Sequence, residues 1–327
     1  MSPADDLLER VRATGLVAAR EPLVVLLSGG RDSVCLLDLA VRLAGRDAVS
    51  ALHVNYGLRA EAGADERHCR ELCERLGVQL EVHAVQRPGD AGNLQAWARD
   101  VRLGAGARIA TARGARLATG HTASDQAETI LYRLAASPGR RALLGMAPRD
   151  GLLVRPLLGV TRAQTAAHCA ARGLAWREDA SNDDPAYARN RARAGLVPAL
   201  RELHPSAERN VVRTAELLRD EAAVLDEVVE TALAGRDHIA IAHLAALPPA
   251  LARLVVRRLA EDAAGRLCAR APGRLAEILA LGDGALDLGD GARAVVSAGL
   301  LRVEPTPAGR SAPSAPSHPD RQPRSPA

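Results

Sequence analysis

An apolar run, Leu23-Val24-Val25-Leu26-Leu27, ends in Ser28-Gly29-Gly30-Arg31-Asp32-Ser33, and an apolar-periodic stretch follows from Val34 to Leu43. Two adjacent glycines let a backbone turn tightly and come close to a ligand. The N–H groups of such a turn and of the helix it opens form a ready anion site. The spacing is neither GxxxxGK[ST] nor GxGxxG. Helix capping accounts for one Ser or Asp, but not for a glycine pair between a buried strand and a helix. Asp32 beside phosphates calls for Mg2+ between them, because like charges otherwise repel.

Two more polar stretches carry chemistry. His53-Val54-Asn55-Tyr56-Gly57-Leu58-Arg59 is one, and Gly120-His121-Thr122-Ala123-Ser124-Asp125-Gln126-Ala127-Glu128-Thr129 is the other. Asp125 and Glu128 lie three apart, on one face near the start of a helix. Either acid alone is explained by the helix dipole. With His121 beside them, the pair reads as a site that holds Mg2+ or positions an ammonium group.

The elements that must position these residues alternate. Strands are expected at 23–27, 49–55, 79–85, 116–121 and 152–157, and helices at 64–77, 95–113, 125–136 and 161–173. Alternation of this length means βαβ units, and so an α/β, doubly wound, mainly parallel sheet. Such sheets bind ligands at the carboxyl ends of their strands, which is where the three polar stretches fall. Residues 1–188 form the first domain on this reading. A helical linker with an Arg-rich face (189–235, two long helices) follows, then a smaller α+β domain (236–304) ending in the hairpin-like LDLGDGARAVVSAGLLRVE. The stretch 305–327, rich in Pro, Ser, Ala and Arg, cannot bury enough apolar surface to fold and reads as a disordered tail.

Composition excludes more than it selects. The 327 residues include no Phe and no Lys, so all 43 basic side chains outside His are Arg. A GC-rich genome explains that bias. The net charge of +4 does not by itself argue for a nucleic-acid partner. No apolar run is long enough to span a bilayer and no signal segment opens the chain, so no membrane association and a cytoplasmic location are expected. The five cysteines form no CxxC pair. Cys69 and Cys73, one helical turn apart beside His68, read as packing rather than as a metal site.

SGGRDS resembles the ATP-pyrophosphatase loop, in which a pyrophosphate leaving group is held. HVNYGLR, GHTASDQAET, RPLLGVTR (155–162) and EDASNDDPAYARNRAR (178–193) then follow in the order found in tRNA-isoleucine lysidine synthetases, and the resemblance covers about residues 20–215. It implies use of ATP and Mg2+ to adenylate the C2 oxygen of the wobble cytidine in the CAU anticodon of an isoleucine tRNA. Free L-lysine then displaces AMP, giving lysidine. By motif, Ser28, Gly29, Gly30, Arg31, Asp32 and Ser33 would bind ATP, with Asp32 on Mg2+. Asp32, Asp125 and Arg193 would carry catalysis, and His53, Asn55, His121, Glu128 and Arg189 are the candidates for substrate binding. The amine must be neutral to attack, and a nearby carboxylate can orient it.

Ser124 stands where the family often has Asp, and Arg102-Leu103 where Arg-Tyr is common. From Arg189 to Arg219 there are seven Arg and three Glu. With Arg140, Arg141 and Arg149 they are the candidate phosphate contacts. Anticodon recognition would rest on Arg and backbone contacts around Tyr56, Trp97, Tyr187 and the small domain. A homodimer is compatible with the sequence. The rivals are a cytidine thiolase of tRNA, which needs suitably placed cysteines, and a non-catalytic ATP-binding sensor, which has no use for Asp32, Asp125 and Glu128.

Overall fold

The computed structural model describes residues 3–58, 62–88, 94–136, 140–178 and 191–307. Two compact units emerge, Met1–Arg219 and Asp220–Ala327.

The first unit is built on β1 (Leu23–Leu26), whose four apolar residues are buried on both faces, as a central parallel strand requires. Around it lie β2 (Val49–Asn55), β3 (Gln79–Ala84), β4 (Arg116–Ala118), β5 (Arg149–Asp150) and β6 (Leu153–Val154), in the order β3-β2-β1-β4-β6-β5. All pairings are parallel except β5 with β6. The doubly wound, mainly parallel sheet expected from the sequence is therefore present, with a short antiparallel edge. β4 and β6 are shorter than their apolar runs suggest, because the chain leaves the ladder to form the loops described below.

One face carries α1 (Pro3–Ala13), α2 (Arg31–Ala44), α3 (Ala62–Leu76) and α7 (Arg162–Ala171). Leu36, Leu37 and Leu39 of α2 are completely buried in this core. The other face is covered by α4 (Leu94–Ala112). Gly106 brings that helix so near the sheet that a Cβ there would lie 2.7 Å from the Leu117 side chain. α5 (Ala123–Ala136) follows β4, and a single turn, α6 (Arg140–Leu143), follows α5. The expected pair of long helices in 189–235 is interrupted. A π-helical turn (Ala192–Leu196) leads into α8 (Val197–Leu203), and α9 (Ala207–Leu233) begins after a break at His204. Pro205 causes the break by disfavouring helical backbone in the residue before it; His204 is extended, with φ −157.

The second unit holds β7 (His238–Ala240), α10 (Ile241–Ala246), α11 (Pro249–Ala264), α12 (Leu275–Ala280) and a meander of β8 (Gly284–Gly289), β9 (Ala292–Ser297) and β10 (Leu300–Pro305). Its sheet is antiparallel, in the order β7-β10-β9-β8. Two-residue turns, Asp290-Gly291 and Ala298-Gly299, have positive φ at both positions, the conformation that matches strand twist in a tight hairpin. Leu244, Val255, Ile278 and Leu301 fill its core. Of the stretch read as a tail, residues 308–327 lie outside the described residues.

Candidate active site

β1 is flanked by β2 on one side and β4 on the other, so the loops after these three strands open at one place. They line a cavity of about 770 Å³. Ser28, Gly30, Arg31, Asp32, Ser33, His53, Asn55, His121, Asp125 and Arg193 all lie on its wall. Of the remaining site candidates, Glu128 lines a smaller cavity of about 290 Å³ that shares Arg31, Arg162 and Arg193 with the first. Gly29 belongs to the same loop but is not among the residues lining either cavity, and Arg189 lies outside the described residues.

The loop after β1 is shaped by its own hydroxyls. Ser33 Oγ donates to the Gly30 carbonyl (2.8 Å) and accepts from the Ser28 N–H (3.2 Å), while Ser28 Oγ accepts from the Gly30 N–H (3.3 Å). Gly29 has φ +84, and a Cβ there would lie 3.3 Å from Cys69 Sγ. A side chain here would be strained by the backbone conformation and crowded by α3. Gly30 caps α2 with no side chain, leaving the first N–H groups of that helix open to an anion. Gly120 is as tightly placed. Its Cβ would lie 2.9 Å from the Asp32 carbonyl oxygen, so the loop after β4 packs backbone to backbone against the start of α2.

Asp32 Oδ1 accepts from Thr165 Oγ1 (2.5 Å) and from Arg31 Nε (3.3 Å). Its side chain keeps 20% exposure. Mg2+ takes one or two carboxylates and fills its octahedron with phosphate oxygens and water. A single partly open carboxylate beside the Ser28 and Ser33 hydroxyls fits that donor set.

Asp125 occupies the first turn of α5. Its Oδ2 accepts from Thr122 N–H and Oγ1–H, both at 2.8 Å, and Oδ1 accepts from Arg162 (2.5 Å). Burial pushes this carboxyl up, but the Arg162 guanidinium and the Thr122 N–H outweigh it and hold the group below the usual aspartate value. Asp125 therefore stays ionised. The helix-start role that an acid fulfils in isolation is realised here together with its place on the cavity wall. Glu128, 3% exposed, accepts from Arg162 (2.7 Å) and from Arg193 Nε (2.9 Å).

His121 Nδ1 lies 2.8 Å from Thr119 Oγ1. Burial, opposed by Asp125 and aided by Arg102, Arg155 and Arg99, lowers its pKa to about 4, so the ring is neutral at pH 7. His53 Nδ1 donates to the Leu27 carbonyl (2.9 Å), tying β2 to the end of β1. Asn55 is spent on the protein: it donates to Glu66 (2.9 Å) and accepts from the Gly57 N–H (3.0 Å). Tyr56 stacks edge-on against Trp97 at 5.7 Å and donates to the Ala98 carbonyl (2.8 Å). The far end of the loop after β1 is closed by Arg177, whose N–H donates to the Gly29 carbonyl (3.0 Å) and whose guanidinium pairs with Asp65.

Two residues escaped the sequence reading. Arg162 contacts Asp32, Asp125 and Glu128, and Thr165, fully buried, bonds Asp32 from the next turn. RPLLGVTR ends at Arg162, which was the available signal. Ser124, at the position of a frequent acid, is buried and accepts the Arg162 N–H (3.4 Å), joining α5 to α7. All five cysteines are buried, and desolvation pushes the Cys69 and Cys73 thiols up to about 12. Neither presents the thiolate that sulfur transfer uses. No helix among the described residues is long and apolar enough to cross a membrane.

A family model for the PP-loop domain matches residues 6–200. Among curated proteins, the chain is 42% identical over 251 residues to the tRNA(Ile)-lysidine synthase of Thermus thermophilus, covering 75% of this chain and 48% of that one. With the tRNA(Ile)-lysidine synthase of Salinispora tropica it shares 40% identity over 298 residues, covering 86% of this chain and 90% of the relative. The chain spans about half the length of the first relatives it matches, the Pseudomonas fluorescens protein included at 47%. Among solved structures, the U34-tRNA thiolase NcsA of Methanococcus maripaludis superposes with a TM-score of 0.56 at 17% identity, covering 66% of this chain and 78% of that chain. That likeness shows a shared fold.

Proposed function

The chain belongs to the PP-loop family, among the tRNA(Ile)-lysidine synthases, and from that premise we propose that it joins free L-lysine to C2 of the wobble cytidine of an isoleucine tRNA with a CAU anticodon. In this reading the enzyme is a carbon–nitrogen ligase that uses ATP and Mg2+ in the cytoplasm. The C2 oxygen attacks the α-phosphorus of ATP and pyrophosphate leaves. The neutral amino group of lysine then adds at C2, the C2–oxygen bond breaks, AMP departs with that oxygen and the amine gives up its proton to water.

The observation that carries this is convergence. The Ser28–Ser33 loop, His121 with Asp125, and Arg193 come from three separate segments and meet on one cavity of about 770 Å³. Ser28, Gly29, Gly30, Arg31 and Ser33 supply the cradle for the phosphates, and the start of α2 adds its N–H groups. Asp32 would hold Mg2+, which supplies charge neutralisation for the leaving pyrophosphate. Asp125, held ionised by Arg162, orients the amine rather than accepting its proton, since a depressed pKa makes a weak base. Arg193, with Arg189 of the same segment, would take the phosphate or adenylate role. His53, Asn55, His121 and Glu128 shape the pocket that receives the substrates. The division at 1–188, 189–235 and 236–304 belongs to the same proposal, as does an assembly of two copies.

The test is pyrophosphate release from ATP in the presence of labelled lysine and a CAU-anticodon isoleucine tRNA. Label should enter the tRNA and be lost when the wobble cytidine is changed to uridine. Pyrophosphate release with no label in the tRNA would reject the lysine assignment.

A further inference from the structure

Resting on the function proposed above, we propose that Arg162 is a positioning residue that ties the nucleotide side of the site to its amine side and so keeps adenylation and lysine transfer coupled. The guanidinium serves three acids at once. Nη2 meets Asp125 Oδ1 at 2.5 Å, Nη1 meets Glu128 Oε1 at 2.7 Å, and Nε stands 3.7 Å from Asp32 Oδ2. Asp32 belongs to the loop after β1, and Asp125 and Glu128 to the helix after β4. Arg162 lies on the wall of both cavities and contacts all three acids.

Its own placement is fixed from behind. Thr161 and Gln164 form a reciprocal capping box at the start of α7, and the Arg162 N–H reaches Ser124 Oγ at 3.4 Å. One turn on, Thr165 bonds the other oxygen of Asp32 at 2.5 Å. The first turn of α7 therefore bonds one carboxylate oxygen of Asp32 and sets a guanidinium nitrogen 3.7 Å from the other, while the same arginine bonds the α5 acids. A planar fork with donors in fixed directions can do this, whereas a lysine ammonium is a point charge that cannot span the three.

The arrangement also settles the electrostatics. Three carboxylates so close would repel one another, and Arg162 with Arg193 neutralises most of that charge (Arg193 lies 2.9 Å from Glu128 and 3.9 Å from Asp125). When Arg162 is shortened, the α5 acids lose their register with Asp32. The adenylate can still form, but the amine is misplaced by a fraction of an ångström or more, a displacement that costs up to about a hundredfold in rate. Water then attacks the phosphorus of the waiting adenylate, returning cytidine and AMP.

The experiment uses the full chain with Arg162→Lys, Arg162→Met and Glu128→Gln. Pyrophosphate released and lysine incorporated into the CAU tRNA are measured in one reaction. The unaltered chain should give a ratio near one. Arg162→Lys should release pyrophosphate at a reduced rate and raise that ratio about tenfold, with the KM for lysine rising more than the KM for ATP. Glu128→Gln, which weakens one anchor of Arg162 while leaving the arginine itself in the chain, should raise the ratio as well and decides the matter if the Arg162 variants do not fold. A ratio that stays at one in the folded variants, whatever their rate, overturns the proposal, because a general structural defect slows both products alike. Absence of lysine incorporation by the unaltered chain would instead overturn the proposed function.

Discussion

A neutral imidazole faces the cavity. Desolvation is the main force on His121; Asp125 opposes it and Arg102, Arg155 and Arg99 add to it, and the pKa falls from 6.5 to about 4. In the unfolded chain the ring titrates near 6.5, so as pH falls from there toward 4 the unfolded state takes up a proton that the native state refuses. Stability therefore declines with acid over that window. Asp125, held below its usual value, adds loss of the same sign further down. An NMR titration should find the His121 ring neutral at pH 6 and protonating near 4, and a midpoint above 6 would overturn the desolvated environment. The residue scale is also where sequence reading reached its limit. Asp32 and Asp125 were legible because an acid that follows a glycine pair, or opens a helix beside a histidine at a strand end, does more than packing or capping requires. Arg162 was not, because an arginine opening a helix looks like a solvated one until three acids from distant segments are seen around it. Asn55 had the opposite fate: a polar residue at a strand end invites a ligand, yet its amide is consumed by Glu66 and Gly57.

At the scale of elements, the contact between two loops decides the geometry. Gly120 touches the backbone of Asp32 and Ser33, so any side chain there must push the loop after β4 away from the start of α2. Backbone cannot yield as a flexible side chain does. Gly120→Ala should weaken ATP binding about tenfold or more, in line with overpacking costs of about 1–3 kcal/mol, while the melting temperature moves by only a few degrees. Calorimetric titration of ATP checks it, and unchanged affinity would show that this contact does not set the site. The parallel strands and their helices could be read from apolar runs and 3.6-residue periodicity, because buried strands and amphipathic helices leave long signatures. β5, two exposed polar residues, leaves none, whereas β6 lies inside the expected strand 152–157 but keeps only two residues of it. The π-helical turn at Ala192–Leu196 arises in a segment whose pattern is compatible with ordinary helix, and only the Pro205 break was marked in the sequence.

At the scale of the whole molecule, charge is divided unevenly. Residues 1–219 hold 31 Arg against 25 Asp and Glu, whereas residues 220–307 hold 9 against 13. The overall +4 hides a basic first part and an acidic second one. Phosphate contacts follow positive charge, so the first unit should account for the salt dependence of tRNA binding, and the second should contribute through shape or base edges. Arg149→Ala, an exposed position on β5, should lower tRNA affinity at every salt concentration and reduce the log–log salt slope by about one. Arg270→Ala, whose side chain pairs with Asp290 at 3.3 Å, should leave that slope unchanged. Equal effects from the two would contradict the division. Net charge alone had given no reason to separate the two halves.

The grip of α7 on the start of α2 has a temporal side. Asp32 is bonded by Thr165, 133 positions later, and Asp38 by His168, 130 positions later (2.8 Å). Contacts this distant in sequence close slowly, because a long loop must be brought together before any bond rewards it. The nucleotide loop is encoded near the beginning of the chain, yet it is among the last parts that can be finished. During synthesis, a ribosome must deliver α7 before Asp32 gains Thr165 and Arg162 as partners, so the glycine turn made early is finished only by a helix made much later.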